Sequence, residues 1–243
     1  MSTFKQFLLE YETTLKYHDS LNPIFWKAEK LDPKVRTQLL KIAEEWRKYA
    51  NIPTSSVKDV IFTGGNANYN YTKFSDIDVH LMVSKTQIAD CDKEILDDYL
   101  RDKKALWTLS HDIKVYGFPV ELYAQDLDEK SSMDQGVFSL KKDEWIKKPI
   151  KEKVNLQDPA IARKVKHLKD IIDFFIDSGS HDIEKMDAFK EKLRTMRGAS
   201  VQKGGEFSLE NLAFKELRNQ GYLDKFSDHI IKLQDKQLSL AKP

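Results

Sequence analysis

The sequence predicts an α+β fold, with short strands flanked by helices and then a helical C-terminal domain. Three observations carry this expectation. Apolar and polar residues alternate over 77–83 and 120–125, the period of a half-buried strand. Asp-Pro pairs at 32–33 and 158–159 open stretches of helical period, proline being tolerated in a first helical turn. Strand patterns give way to helical ones after the lysine-rich stretch 147–153, which holds Pro149 and reads as a linker. We therefore divide the chain into 1–150 and 151–243, with N-terminal helices in 1–50 packing on a core at 51–150.

Taken in order, residues 1–20 read as a helix; glutamates inside the apolar stretch and the lack of a cleavage pattern argue against a signal peptide. Asp32-Pro33 starts a helix reaching about Tyr49, with Val35, Leu39, Leu40, Ile42 and Ala43 on one face. Val60-Ile61-Phe62 reads as a short buried strand, and the polar stretch after Gly64-Gly65 has helix-starting character. A helix near 87–107 is expected to bury Ile95, Leu96, Tyr99, Leu100 and Leu106. Residues 113–116, a turn at Gly117-Phe118-Pro119 and the strand from Val120 form a hairpin; 137–140 and 144–146 form another. Four helices follow: Asp158 to Asp177, Asp182 to a stop at Gly198, one capped by Ser208 through Asn219, and about Leu223 to Leu240.

With 40% apolar and 33% charged residues, the 243-residue chain matches a globular protein and not a disordered one. Its apolar runs are far too short to span a bilayer, so no membrane partner is expected. One cysteine, Cys91, excludes an intramolecular disulfide framework and fits a reducing, cytoplasmic location. Residues 1–140 hold 18 Lys and Arg against 22 Asp and Glu, whereas 141–243 hold 22 against 17. Such a modest imbalance does not demand a long polyanion as partner. The histidines show no zinc spacing with Cys91, and no P-loop motif occurs.

Chemistry concentrates in residues 62–83 and 120–125. Asp76 and Asp78 are spaced i, i+2, so an extended backbone points both the same way while Ile77, Val79, Leu81 and Val83 anchor the other face. Adjacent like charges are unfavourable unless a cation lies between them. Glu121, between Val120 and Leu122, offers a third carboxylate. An all-oxygen set suits Mg²⁺ or Mn²⁺. Gly64 and Gly65 follow an apolar run and leave room for backbone N–H groups to approach a polyphosphate, or simply make a strand-ending turn. Ser75 either binds a phosphate or caps that turn. Tyr69, Tyr71 and Phe74 lie between the glycines and the aspartates, where packing against their own fold is the plainer reading than stacking on a base. His80 continues the aspartate face and reads as a hydrogen-bonded interior group.

The run Phe62, Gly64, Gly65, Ala67, Thr72, Ser75, Asp76, Ile77, Asp78, Val79, followed by Val120, Glu121 and Leu122, resembles the nucleotidyltransferase fold of the DNA polymerase beta superfamily. The resemblance covers residues 57–125. It implies a small mixed sheet, a nucleoside triphosphate substrate, two metal ions held by Asp76, Asp78 and Glu121, and transfer of a nucleoside monophosphate to an acceptor with loss of pyrophosphate. Glu121 would hold the ion that lowers the acceptor's pKa and take its proton. The chain departs from the family in having Gly65 where serine is usual, and Glu121 where aspartate is frequent.

The expected function is thus a metal-dependent nucleotidyltransferase. Its acceptor is open: a small molecule, a nucleotide, an RNA 3′ end or a protein side chain. Phosphate-binding candidates are Gly64, Gly65, Ser75 and Lys73, with Arg194, Arg197 and Lys203 from the basic half. A cationic helix end is the bland reading of the last three. The helical half would form the second wall of a nucleotide cleft. The alternatives are a non-catalytic nucleotide sensor and a toxin–antitoxin-type interaction protein on the same fold.

Overall fold

A seven-residue strand that alternates buried and half-buried positions, Ile77–Val83, sits in the middle of the main sheet. The computed structural model describes residues 11–129, 135–179 and 181–240. These form two compact units. Tyr17–Glu152 is one; the other runs from Lys153 onward and includes the described residues 11–16.

The first unit opens with a small hairpin, β1 (Trp26–Lys27) and β2 (Lys30–Leu31). Helix α1 (Pro33–Tyr49) follows, its N-cap Asp32 accepting the Lys34 N–H and its buried face made of Val35, Leu39, Ile42, Ala43 and Trp46. Then come β3 (Val57–Thr63), β4 (Ile77–Val83), α2 (Lys93–Ser110), β5 (Lys114–Val115), β6 (Phe118–Asp126), β7 (Val137–Ser139) and β8 (Glu144–Lys147). The six longer-range strands order as β5-β6-β4-β3-β7-β8. Only β4 and β6 run parallel, since α2 crosses over between them; the other pairs are antiparallel. The sheet is mixed, as the resemblance implies. Val60, Phe62, Ile77, Val79, Leu81, Val83, Leu122 and Ala124 supply its buried face to a core shared with α1 and α2.

The second unit contains α3 (Pro159–Asp177), α4 (Ile183–Gly204), α5 (Leu209–Asn219) and α6 (Tyr222–Leu238). Two apolar clusters hold it together: one around Val165, Leu168, Leu193, Leu212 and Leu217, the other around Ile172, Met186, Phe226 and Ile230. Leu15 joins the first cluster. The fully buried Glu216 carboxylate accepts the Thr14 N–H at 2.9 Å and both the Thr13 and Thr14 hydroxyls.

Several elements differ from the sequence expectations. Residues 11–18 carry no regular secondary structure, and 1–10 lie outside the described residues. Bonds from Thr13 and Thr14 to Glu216 replace the helical ladder there, as hydroxyl side chains readily do. The face of α2 is turned by about one residue, or ~100°. Leu96, Leu100 and Trp107 are buried, whereas Ile95, Tyr99 and Leu106 are exposed. The β5–β6 turn is Tyr116-Gly117, both at positive φ, so Phe118 and Pro119 already belong to β6. Gly198 does not stop α4, because it sits in open space where a glycine costs only about 1 kcal/mol. The stop is Gly205, at φ 71°. After Gly64 comes a three-residue 3₁₀ turn, Gly65–Ala67, and no α-helix, so no macrodipole supports the glycine turn.

Candidate functional site

β4 sorts its side chains as its sequence alternates: Ile77, Val79, Leu81 and Val83 are essentially inaccessible, while Asp78, His80 and Met82 are half-buried on the opposite face. Asp76 immediately precedes the strand. The parallel pairing of β4 with β6 sets Asp78 directly beside Glu121. As a result Asp76, Asp78 and Glu121 each present a carboxylate oxygen within 4.8 Å of the other two. Residues separated by more than forty positions thus converge on one half-buried patch.

The turn after β3 is built against this patch. Gly64 has φ 78° and ψ −164°, and a Cβ added to it would lie 1.7 Å from Asp78 Oδ2. Only glycine permits both the backbone conformation and the approach of that carboxylate. Gly65 is less constrained: a Cβ there would meet Ser75 Oγ at 3.2 Å. Ser75 is buried, and its Oγ accepts the Thr72 N–H at 2.9 Å, closing the loop. Lys73 is exposed, its ammonium 4.9 Å from the centre of the exposed Phe74 ring. Tyr69 and Tyr71 pack within their own unit. Tyr69 is buried near Tyr17, and Tyr71 stacks on His18 at 3.8 Å.

Three groups near the patch were not anticipated. Asn66 is fully buried; its Nδ2 donates to the Asp76 carbonyl at 2.7 Å, and its Oδ1 accepts from Asn22 Nδ2 at 2.9 Å. The Trp26 indole N–H donates to the Asn66 carbonyl, so the turn, Asp76 and the β1 segment are tied together. Lys104, on α2, forms an ion pair and hydrogen bond with Glu121. Nothing local in the sequence marks either partner, since both contacts join distant segments. A polar row adjoins the patch: the His80 ring nitrogen Nδ1 bonds Gln125 Oε1 at 2.8 Å, and Tyr123 lies beside His80.

Electrostatics follow from these contacts. Burial works to raise the Glu121 pKa, but the Lys104 hydrogen bond and charge, then Asp76 and His80, outweigh it and hold the carboxyl below its ordinary range. Burial lowers the His80 pKa, outweighing the hydrogen bond to Gln125 that favours the charged ring, so the neutral imidazole is favoured. Burial together with Glu129 pushes the Tyr123 hydroxyl up to about 12.

The three carboxylates have the geometry to hold a metal ion, and their all-oxygen character suits a hard cation. Gly64 leaves one side of Asp78 open to its backbone, in space any other residue would fill. The basic candidates of the second unit make local contacts. Arg194 pairs with Glu191 at 2.6 Å. Arg197 donates to Asn211 at 3.2 Å and lies 4.9 Å over the Phe214 ring. Lys203 is exposed near the end of α4.

No family model matches the chain, and no curated protein matches it. Among solved structures it has a weak likeness to the STING-associated CdnE c-di-GMP synthase from Capnocytophaga granulosa. The match has 11% identity, covers 85% of this chain and 83% of that one, and has a TM-score of 0.21.

Proposed function

We propose that the chain is a metal-dependent nucleotidyltransferase that moves a nucleoside monophosphate from a nucleoside triphosphate to an acceptor oxygen. The observation that carries this reading is the register of β4 against β6, which brings Glu121 alongside Asp78 and Asp76, with Gly64 packed on Asp78. Resemblance of the same residues to the DNA polymerase beta superfamily motif supplies the reaction type.

Asp76, Asp78 and Glu121 would hold Mg²⁺ or Mn²⁺, which when bound neutralises triphosphate charge and lowers the acceptor's pKa. Asn66 fixes the backbone of Asp76, and the Gly64-Gly65 turn would take the phosphates, with Ser75 closing the loop behind it. The acceptor oxygen attacks the α-phosphorus, the bond from that phosphorus to the α–β bridging oxygen breaks, and pyrophosphate leaves with the electron pair. Glu121, which Lys104 holds below the ordinary carboxylate range, suits ligation better than proton abstraction. Arg194 and Arg197 have partners inside the helical unit, and the proposal does not depend on them.

Incubation of the full chain with each labelled nucleoside triphosphate and Mg²⁺, with and without cellular RNA, tests the reading. Label transfer or pyrophosphate release that disappears in Asp76→Ala and Asp78→Ala is expected. Tight nucleotide binding without release, unchanged by those substitutions, would instead indicate a nucleotide sensor.

A further inference from the structure

Glu121 is already paired with a cation. The Lys104 ammonium bonds Glu121 Oε1, and it reaches there from a separate helix with its charge 5.7 Å from the centre of the Tyr123 ring. Lys104 is 29% exposed and Glu121 42%, so the pair lies at an accessible rim and is not locked in the core. The same ammonium acts electrostatically on His80, one alternation along β4 from Asp78.

An ammonium hydrogen-bonded to a ligand carboxylate has two opposing effects. It relieves the repulsion among three clustered carboxylates, and it opposes the arrival of a second cation at the same oxygens. Lysine is a compact charge on a flexible four-carbon stem, so it can leave Glu121 without rearranging the backbone. We propose that Lys104 is a built-in competitor for the metal, weakening the affinity of the nucleotide-free site by occupying Glu121. The inference rests on the reading of Asp76, Asp78 and Glu121 as metal ligands. It makes metal loading favourable chiefly when a polyphosphate brings its own negative charge to the site.

Titration of the nucleotide-free full chain with Mn²⁺, followed by the electron paramagnetic resonance signal of free Mn²⁺, tests this. Lys104→Met is expected to bind Mn²⁺ about tenfold or more tightly than wild type, consistent with removal of one nearby positive charge. Lys104→Gln should behave alike and stands in if the methionine variant misfolds. Lys104→Arg keeps the charge and should stay within about twofold of wild type on the same electrostatic grounds. Wild-type binding that is lost in Asp78→Asn, with unchanged or weaker binding in both neutral Lys104 variants, overturns the competitor role while leaving the metal site intact. Absence of any Asp78-dependent Mn²⁺ binding, in wild type and in both neutral variants, overturns the metal site and this inference with it.

Discussion

The Asp78 carboxylate lies where a side chain on residue 64 would begin: a Cβ there would stand 1.7 Å from Asp78 Oδ2. Strain at φ 78° adds to that clash, on the order of 1–3 kcal/mol for a non-glycine residue. Gly64→Ala is therefore expected to displace Asp78, abolish Mn²⁺ binding and lower stability by about 1–3 kcal/mol. Gly65→Ala, whose nearest Cβ contact would be Ser75 Oγ at 3.2 Å, should keep both. Mn²⁺ titration and urea unfolding of the two variants separate these outcomes, and equal behaviour would remove the special role of Gly64.

Asn66 is the residue through which the glycine turn holds Asp76. Asn66→Ala strands the Asp76 carbonyl and the Asn22 amide in a buried setting, at about 1–3 kcal/mol for each group left unsatisfied. A double-mutant cycle with Asn22→Ala, read by urea unfolding, should show a coupling of about 0.5–3 kcal/mol. Additive losses would mean that the two side chains act independently.

Helix α2 offers a contrast between two of its leucines. Leu100 is buried and Leu109 is 83% exposed. Leu100→Ala should cost about 2–5 kcal/mol, whereas Leu109→Gln should change stability by no more than about 0.5 kcal/mol. Comparable losses by chemical denaturation would mean that Leu109 is buried as well.

In the second unit, Glu216 binds the 13–14 segment through the Thr14 N–H and two hydroxyls. Glu216→Ala leaves these donors without their acceptor, and a loss of about 2–3 kcal/mol is expected. Hydrogen exchange at the Thr14 amide should accelerate in parallel. Unchanged protection there would show that apolar packing of Leu15 alone holds the segment.

These outcomes also show what could be read from the chain. The i, i+2 spacing of Asp76 and Asp78 is a local property of an extended backbone, so their shared face was legible from pattern alone. Glu121 was legible as a candidate, but its place beside Asp78 comes from strand register, a long-range property that alternation does not encode. Lys104 and Asn66 act through contacts 17 and 10 residues away, and neither residue type stands out in its segment. The α2 phase is ambiguous in sequence because Ile95, Tyr99 and Leu106 extend the apolar surface on one side of the true stripe of Leu96, Leu100 and Trp107. Gly198 suggests a stop because glycine is common at helix ends, yet in an exposed interior position it is merely tolerated.

Whether Asp76, Asp78 and Glu121 share a metal ion is the claim on which the functional reading stands. Anomalous diffraction from crystals of the full chain soaked in Mn²⁺ and a non-hydrolysable nucleoside triphosphate analogue measures it directly. The expected result is a manganese peak within coordinating distance of oxygens of all three carboxylates, absent in Asp78→Asn crystals. A map with manganese elsewhere, or with none touching Asp78 and Glu121, would contradict the account.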